Sequence, residues 1–171
     1  MKSTCLNAEA TLRRAVRSDL PEIVRLLADD ALGSGREEYL SPLPDSYYMA
    51  FDAIESDSNN ELIVVELDGA VVGVLQLTFI PNITYRGSWR ALIEGVRVDS
   101  SVRNKGIGRK LFVWAIERAG ERGCRLVQLT SDKSRPEATR FYKSLGFVAS
   151  HEGFKLQLEP SKTVLEANTE P

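Results

Sequence analysis

The spacing of apolar residues along the chain alternates between the period of a strand and that of a helix. Residues 11–17 mix β-branched and basic side chains and predict a short first strand. Asp19, with Glu22 three positions later and a proline in the first turn, is a helix start signal. Helical spacing continues until 33–35, where two glycines end the helix. A second short helix is predicted over 47–54.

The middle of the chain has the features of a sheet. Residues 62–67 and 70–79 are apolar runs joined by Asp-Gly, a two-residue connection typical of a β-hairpin. A further strand is predicted over 89–99, with apolar side chains on both of its sides. This distribution predicts a sheet that is covered on both faces.

The second half of the chain alternates between helix and strand. A helix is predicted from Gly106 onward, followed by a strand over 124–130. The last helix is predicted to begin at Ser134, which has a glutamate at capping-box spacing, and to end near Gly146. Residues 147–158 predict a final hairpin. The order of elements predicts a mixed α/β fold, in which a mixed β-sheet carries helices on both faces.

Length and composition allow one domain. The chain has 171 residues, and we predict a single domain over 10–158 with polar tails at 1–9 and 159–171. The two cysteines, Cys5 and Cys124, are too few for a disulfide framework or a metal cluster, so no metal site is expected. No apolar run is long enough to span a bilayer, and the N-terminus lacks the apolar core of a signal peptide. We therefore expect a cytoplasmic protein with no membrane partner.

The charge balance bears on the kind of partner. The formal net charge is -2, from 22 basic and 24 acidic residues, whereas a general nucleic-acid binder shows a basic excess. Nucleic acid is therefore not an expected partner. Four basic residues do cluster near one glycine-rich turn, which suits a small polyanion better than a duplex. These residues are Arg103, Lys105, Arg109 and Lys110.

The glycine-rich turn places Arg103, Gly106 and Gly108 between a strand and a helix. The first N–H groups of a helix are unpaired and carry partial positive charge, so a phosphate is favoured there. A dinucleotide-binding turn would have a third glycine where Leu111 stands, and a P-loop would have a Lys-Ser or Lys-Thr pair that this turn lacks. An ordinary strand-to-helix turn is the alternative interpretation of these residues.

Three stretches, in the same order, resemble the GNAT superfamily of N-acetyltransferases: residues 92–99, 103–108 and 136–147. The third is similar to the family's signature Ala-x-x-Phe-Tyr-x-x-x-Gly-Phe, with Ala138, Phe141, Tyr142, Gly146 and Phe147. The resemblance implies the GNAT acyl-CoA N-acyltransferase fold and the use of acetyl-CoA as acetyl donor. The N-terminal half, which shapes the acceptor pocket in that family, resembles it only weakly.

The resemblance also implies how acetyl-CoA is held. Backbone groups of the strand predicted over 89–99 would pair with the pantetheine arm, and the glycine-rich turn that follows it would bind the pyrophosphate. The thioester would lie where this strand diverges from the strand at 124–130. The implied cofactor-binding residues are Val96, Arg97, Val98, Arg103, Asn104, Lys105, Gly106, Ile107, Gly108 and Arg109. Arg135 stands where the family often has asparagine, and it is either a further phosphate ligand or a solvated side chain.

Attack of an amine on a thioester involves two proton transfers. An alkylammonium group has a pKa of roughly 10, so it must lose a proton before it attacks, and the thiolate leaves more readily if it gains one. Tyr142 matches the family's tyrosine and is the candidate acid, because a phenol stays protonated at neutral pH. The alternative is a structural tyrosine packed beside Phe141.

Glu94 is the candidate base. It is predicted to share a strand face with Leu92, Val96 and Val98, and an acid among apolar neighbours is a common setting for acid–base chemistry. The alternative is an ion pair with Arg90 or Arg97.

These residues lead to an expected function: transfer of an acetyl group to a primary amine of a small molecule. Two alternatives stay open, namely acetylation of a peptide or protein amine and a non-catalytic acyl-CoA-binding sensor. A homodimer is common in the family, although no residue of this sequence argues for one.

Overall fold

The computed structural model of the chain describes residues 9–29 and 33–158. The chain divides into two compact units, Met1–Leu129 and Thr130–Pro171. The predicted tails lie outside the described residues except for Glu9. The single domain over 10–158 therefore stays a prediction.

A five-stranded sheet organises the first unit. Its strands are β1 (Thr11–Arg14), β2 (Asn60–Leu67), β3 (Ala70–Pro81), β4 (Trp89–Val98) and β5 (Cys124–Leu129), in spatial order β1-β2-β3-β4-β5. Neighbouring strands are antiparallel from β1 to β4, and β5 runs parallel to β4. The first strand ends three residues earlier than predicted, because Arg17 opens a 3-10 turn that leads into the first helix. The Asp68-Gly69 connection has positive φ at both residues, as a type I′ hairpin turn requires.

Helices cover both faces of this sheet. Helices α1 (Leu20–Ala28) and α2 (Asp45–Ser56) share one core with buried residues of the sheet, including Val64 and Val74. Helix α3 (Ile107–Glu121) packs on the opposite face, where the Leu111 side chain lies against Gly73. The predicted mixed α/β fold is therefore confirmed.

A bulge interrupts β4 at the point where the candidate base stands. Glu94 pairs with Gln76 and Arg97 pairs with Val74, so Gly95 and Val96 together oppose the single residue between them on β3. Gly95 has φ +62°, the left-handed conformation that glycine readily adopts in a bulge.

The bulge reverses the alternation of side chains along β4. Ile93 is paired with buried Leu77 on the α3 face, and beyond the extra residue Val98 is paired with Gly73 on that same face. Glu94 lies on the face of α1 and α2, so the prediction that it shares a face with Val96 and Val98 is wrong. The physical reason is that one inserted residue moves every later side chain to the other face.

The second unit contains helix α4 (Pro136–Ser144), with Pro136 in its first turn as predicted. The predicted capping box is wrong, since Arg135 occupies the cap position and no side chain caps the helix. Ser134 instead donates its N–H and hydroxyl to the carboxylate of Asp132, at 2.9 and 2.6 Å. The helix ends before Gly146, which has φ +91°.

No strand forms among residues 147–158, so the predicted final hairpin is wrong. Phe154, Leu156 and Leu158 have the alternation of a strand, yet their exposed fractions are 92%, 86% and 82%. Alternating apolar residues form a stable strand only where another strand and a core accept them. Neither is provided for these three side chains by the described residues of the second unit.

Candidate active site

Strands β4 and β5 are paired along only part of their length. Their register runs from Trp89 opposite Cys124 to Ile93 opposite Leu129 and ends there, whereas β4 continues beside β3 as far as Val98. Among the described residues, the edge of β4 that faces β5 therefore has no partner strand beyond Ile93. This is the divergence that the family resemblance implied. The Arg97 guanidinium donates to the Val96 carbonyl at 2.8 Å, so this side chain holds the backbone of its own strand.

Asp99 fixes the chain where it leaves β4. One carboxylate oxygen accepts hydrogen bonds from the Ser101 hydroxyl at 2.6 Å and from the Ser101 N–H at 2.9 Å. The other accepts from Arg25 of α1 at 2.8 Å. These hydrogen bonds, those from Ser101 first, lower the pKa of Asp99 from 3.8 to about 2. The anchored turn over Ser100–Val102 then directs the chain into the glycine-rich segment.

The glycine-rich segment presents free backbone donors. Asn104 has φ +63° and Gly106 has φ +81°, so two residues of this short turn adopt the left-handed conformation before α3 begins. Lys110 donates its N–H to the Gly106 carbonyl at 3.0 Å. Within residues 9–29 and 33–158, no group accepts from the N–H of Gly108 or Arg109, and no side chain caps α3. A Cβ added at Gly106 would meet no atom within 4 Å, so the turn is open to a ligand.

Two cations beside this turn are available to a polyanion. Lys105 and Arg109 are exposed, and neither forms an ion pair with the described part of the chain. Arg103 donates to the Val98 carbonyl at 3.3 Å and lies 4.0 Å from Asp29. Lys110 binds the carbonyl of Ala10 at 2.6 Å, so it supports the fold instead. The donors and the free cations together suit a pyrophosphate.

A cleft of about 750 Å³ borders the same turn. It is lined by residues from the start of α3 and by Ala10 and Leu67 near the ends of β1 and β2. None of its lining residues belongs to β4 or β5. The cleft therefore adjoins the basic turn but not the gap between β4 and β5.

Glu94 stands in a different environment from the one predicted. Its side chain is exposed, and the residue opposite it on β3 is the polar Gln76. The expected apolar surroundings are thus absent. The alternative ion pair with Arg90 or Arg97 is absent too, because the Glu94 carboxylate bonds to no side chain that the structure describes. Glu94 is therefore a solvated carboxylate on the face of α1 and α2.

Tyr142 and Arg135 belong to the second unit. The Tyr142 ring packs edge-on against the rings of Phe141 and Phe147, with centroid distances of 5.7 and 6.3 Å. The backbone carbonyl of Tyr142 accepts a hydrogen bond from the Phe147 N–H at 3.1 Å. Arg135 is 40% exposed and lies 3.9 Å from Glu137, which agrees with a solvated side chain. The structure therefore brings Glu94 and the predicted residues from Val96 to Arg109 together in one unit, and it places Tyr142 and Arg135 in the other.

The described part of the chain has no cluster of three or more His, Cys, Asp or Glu side chains placed to hold a metal ion. Its helices are also too short or too polar to cross a membrane.

Two residues of the site, Asp99 and Arg25, were not predicted from the sequence. Asp99 could have been found, because aspartate followed by serine two positions later is typical of a local side-chain turn. Arg25 could not, since 74 positions separate it from Asp99.

Three relatives with reviewed descriptions show sequence similarity to this chain. An N-acetyltransferase from Methanocaldococcus jannaschii is 31% identical over 139 residues, which are 80% of this chain and 60% of the relative. The aminoalkylphosphonate N-acetyltransferase of Salmonella typhimurium is 27% identical and covers 82% of this chain and 86% of its own length. The glucosamine 6-phosphate N-acetyltransferase of Trypanosoma brucei brucei is 37% identical over 91 residues, 53% of this chain and 59% of the relative. The chain thus spans about three fifths of two of these relatives.

Similarity in structure is strong. The crystal structure of a transcriptional regulator from Bacillus halodurans C-125 is 57% identical, with a TM-score of 0.86 over 88% of this chain and 100% of that one. The sequence profile of the Acetyltransferase (GNAT) family matches residues 22–147. This range includes strand β4, the glycine-rich turn and the Phe141-Tyr142 segment. The chain therefore belongs to the GNAT family of acetyltransferases.

Proposed function

We propose that this chain transfers an acetyl group from acetyl-CoA to a primary amine of a small molecule. The observation that carries the proposal is the open turn before α3, where no described group accepts from the N–H groups of Gly108 and Arg109. It follows a strand whose partner has already diverged at Ile93. A ligand whose extended arm leads into a pyrophosphate fits this succession. The residues proposed to hold it are Val96, Arg97, Val98, Arg103, Asn104, Lys105, Gly106, Ile107, Gly108 and Arg109.

The chain's own residues would handle the protons. Acetyl-CoA supplies an activated thioester when it is bound. Glu94, whose carboxylate bonds to no described side chain, is proposed to accept a proton from the amine, directly or through water. Tyr142 is proposed to donate a proton to the leaving thiolate. Arg135 is left out of the mechanism, since its exposure and its position beside Glu137 support a solvated side chain.

The small-molecule acceptor is supported by the relatives. Two of them are named for the acetylation of aminoalkylphosphonate and of glucosamine 6-phosphate. Both of these acceptors carry an amine and a phosphorus oxyanion. A peptide or protein amine is the close variant of this proposal, and it is distinguished by the assay below.

A second candidate function rests on one specific observation. The 57% identical crystal structure is that of a transcriptional regulator. A chain of this family that binds acyl-CoA without turnover would act as a sensor. Such a protein needs the turn before α3, but it needs neither Glu94 nor Tyr142.

The test is release of free thiol from acetyl-CoA in the presence of a panel of amines. The panel contains polyamines, amino sugars, aminoalkylphosphonates, ω-amino acids and short peptides. Turnover with a small amine, confirmed by the mass of the N-acetyl product, supports the proposal. Turnover with peptides only would select the variant. Tight CoA binding with no turnover on any amine would overturn the enzymatic proposal in favour of the sensor.

Replacing Tyr142 with phenylalanine tests the acid. Tyr142→Phe keeps the ring that packs against Phe141 and Phe147 but removes the proton donor. We expect kcat to fall roughly 100-fold while the Kd for CoA changes less than about twofold. Stopped-flow thiol detection and calorimetry measure the two quantities. A large loss of CoA affinity at unchanged kcat would contradict the assignment.

A further inference from the structure

Arg90 of β4 is a cation that the described residues leave unpaired. Its Nε atom is buried and has no hydrogen-bond partner, and no carboxylate within residues 9–29 and 33–158 forms an ion pair with it. A guanidinium carries N–H donors and no acceptor, so this Nε–H can be satisfied only by an acceptor from another group. A buried donor without an acceptor is unfavourable, and such a group in a native protein calls for an explanation.

The described strand neighbours of Arg90 provide no anion. Its cross-strand neighbours are Ile80 on β3 and Leu126 on β5, and Leu92 follows on the same face of β4. All three are apolar. By contrast, several other arginines of this unit bond to a carboxylate: Arg13, Arg14, Arg17, Arg25 and Arg118. Arg90 is thus a partly buried arginine whose Nε atom lies beside apolar neighbours and which has no anionic partner among the described residues.

The position of Arg90 along β4 relates it to the proposed reaction. The turn after the C-terminal end of β4 is the proposed site of the pyrophosphate, and the proposed base Glu94 lies four residues beyond Arg90. Both residues precede the bulge at Gly95, so both lie on the face of α1 and α2. The donor would therefore occupy β4 from its C-terminal end as far as Glu94. The N-terminal half, with Leu92 and Arg90, is left for the acceptor.

We infer that Arg90 binds an oxyanion of the acceptor, a carboxylate, phosphate or phosphonate, while the acceptor's amine meets Glu94. This assignment rests on the proposed acetyl transfer. The Cα atoms of Arg90 and Glu94, four residues apart on one strand, are separated by roughly 13 Å. The two side chains bridge only part of this distance. The acceptor is thus an amine whose oxyanion is several bonds away, not an α-amino acid. A guanidinium suits oxyanions because its N–H groups match their geometry.

The experiment compares Arg90→Met with the unchanged protein on matched amines. The acceptors are pentylamine, 5-aminopentanoate, 3-aminopropylphosphonate and glycine, with acetyl-CoA saturating. We expect the unchanged protein to prefer the two longer anionic amines over pentylamine and glycine. Arg90→Met should lower kcat/KM for both roughly 10- to 100-fold, mostly through KM, and leave pentylamine and the Kd for CoA unchanged. The carboxylate and phosphonate substrates then show which oxyanion is preferred.

Two further variants act as controls. Arg125→Met removes the same charge from an exposed position of the neighbouring strand, and it should leave the preference intact. Arg90→Lys keeps the charge without the planar fork and should retain part of the preference, which also covers the case in which Arg90→Met fails to fold. Equal loss on neutral and anionic amines, or no anionic preference in the unchanged protein, would overturn the inference. Absence of turnover with every amine would instead overturn the proposed function.

Discussion

At the scale of single residues, the turn before α3 depends on backbone conformations that most side chains disfavour. Gly106 has φ +81°, and no described atom would obstruct a Cβ there. Within the described protein, the requirement for glycine is therefore conformational and not steric. Asparagine, which tolerates the left-handed region better than other non-glycine residues, fills the second such position at Asn104.

Gly106→Ala is expected to weaken CoA binding about tenfold. An alanine at positive φ is strained by about 1 kcal/mol or more, so the turn would relax and misalign the N–H groups of Gly108 and Arg109. Gly120→Ala is the matched control, since that site is equally open but has no positive φ. Calorimetric titration with CoA measures both. Equal affinity of the two variants would show that the left-handed turn is not needed.

The position of the glycine-rich turn along the chain was predicted more reliably than the surroundings of single residues. The glycine-rich turn and its basic residues could be located from their order along the chain, because the required groups are consecutive. The surroundings of Glu94 were predicted wrongly. They depend on a bulge at Gly95 and on what β3 places opposite, and neither is a property of the local sequence.

At the scale of elements, the Arg25–Asp99 ion pair joins α1 to the end of β4. The Arg25 guanidinium bonds to Glu22 of its own helix at 2.7 Å and to Asp99 at 2.8 Å. Asp99 in turn holds Ser101, so α1 positions the segment that leads into the glycine-rich turn. Arg25 is thus a positioning residue for the proposed pyrophosphate site.

Arg25→Met is expected to raise the Kd for CoA about three- to tenfold, because the turn loses its anchor on α1. Glu22→Gln removes the exposed half of the same arrangement and should leave the Kd unchanged. Calorimetry measures the affinity, and kcat at saturating acetyl-CoA should stay within about twofold for both. A loss of kcat without a change in affinity would argue against a positioning role.

The low pKa of Asp99 sets a pH window for this anchor. The folded-state pKa of about 2 lies below the ordinary 3.8, so the stabilisation is complete above about pH 4 and is lost as pH falls through 2. We expect the difference in urea midpoint between the unchanged protein and Asp99→Asn to be constant from pH 7 to pH 4 and to shrink below it. If this difference in urea midpoint already disappeared between pH 7 and pH 5, the assignment of Asp99 as a hydrogen-bonded carboxylate with a lowered pKa would be wrong.

At the scale of the whole molecule, one buried charge connects distant parts of the first unit. The carboxylate of Glu61 on β2 is 3% exposed and accepts from Arg118 of α3 at 2.7 Å, while Arg14 of β1 lies 3.1 Å away. A carboxylate buried to this degree is tolerated because two guanidinium groups compensate it. Glu61 thereby holds the edge strand, the sheet and α3 in one arrangement.

Glu61→Gln is expected to lower the free energy of unfolding by about 2 kcal/mol, because Arg118 loses its buried anion but keeps a hydrogen-bond acceptor. Glu121→Gln removes the exposed partner of the same arginine and should cost less than about 0.5 kcal/mol. Urea unfolding followed by circular dichroism measures both. Similar values for the two variants would show that burial of Glu61 contributes nothing.

The sequence by itself determined most of the elements, their order and the position of the glycine-rich turn that is the proposed phosphate site. Apolar periodicity reports which side chains need a core, and the Asp68-Gly69 and Gly106–Gly108 turns carry their conformational requirement in adjacent residues. The prediction of a hairpin at 147–158 was wrong, although it rested on the same apolar alternation as the correct strand predictions. Alternation shows that a segment can form a strand, but not that a partner strand accepts it.

Only the tertiary structure decided which groups meet. The pairing of Arg25 with Asp99 and of Glu61 with Arg118 joins residues 74 and 57 positions apart, and the isolation of Arg90 is a property of three strands together. The bulge at Gly95 decided which face Glu94 occupies. Such features depend on register and on the packing of layers, which balance contributions from the whole sheet, so no local stretch of sequence encodes them.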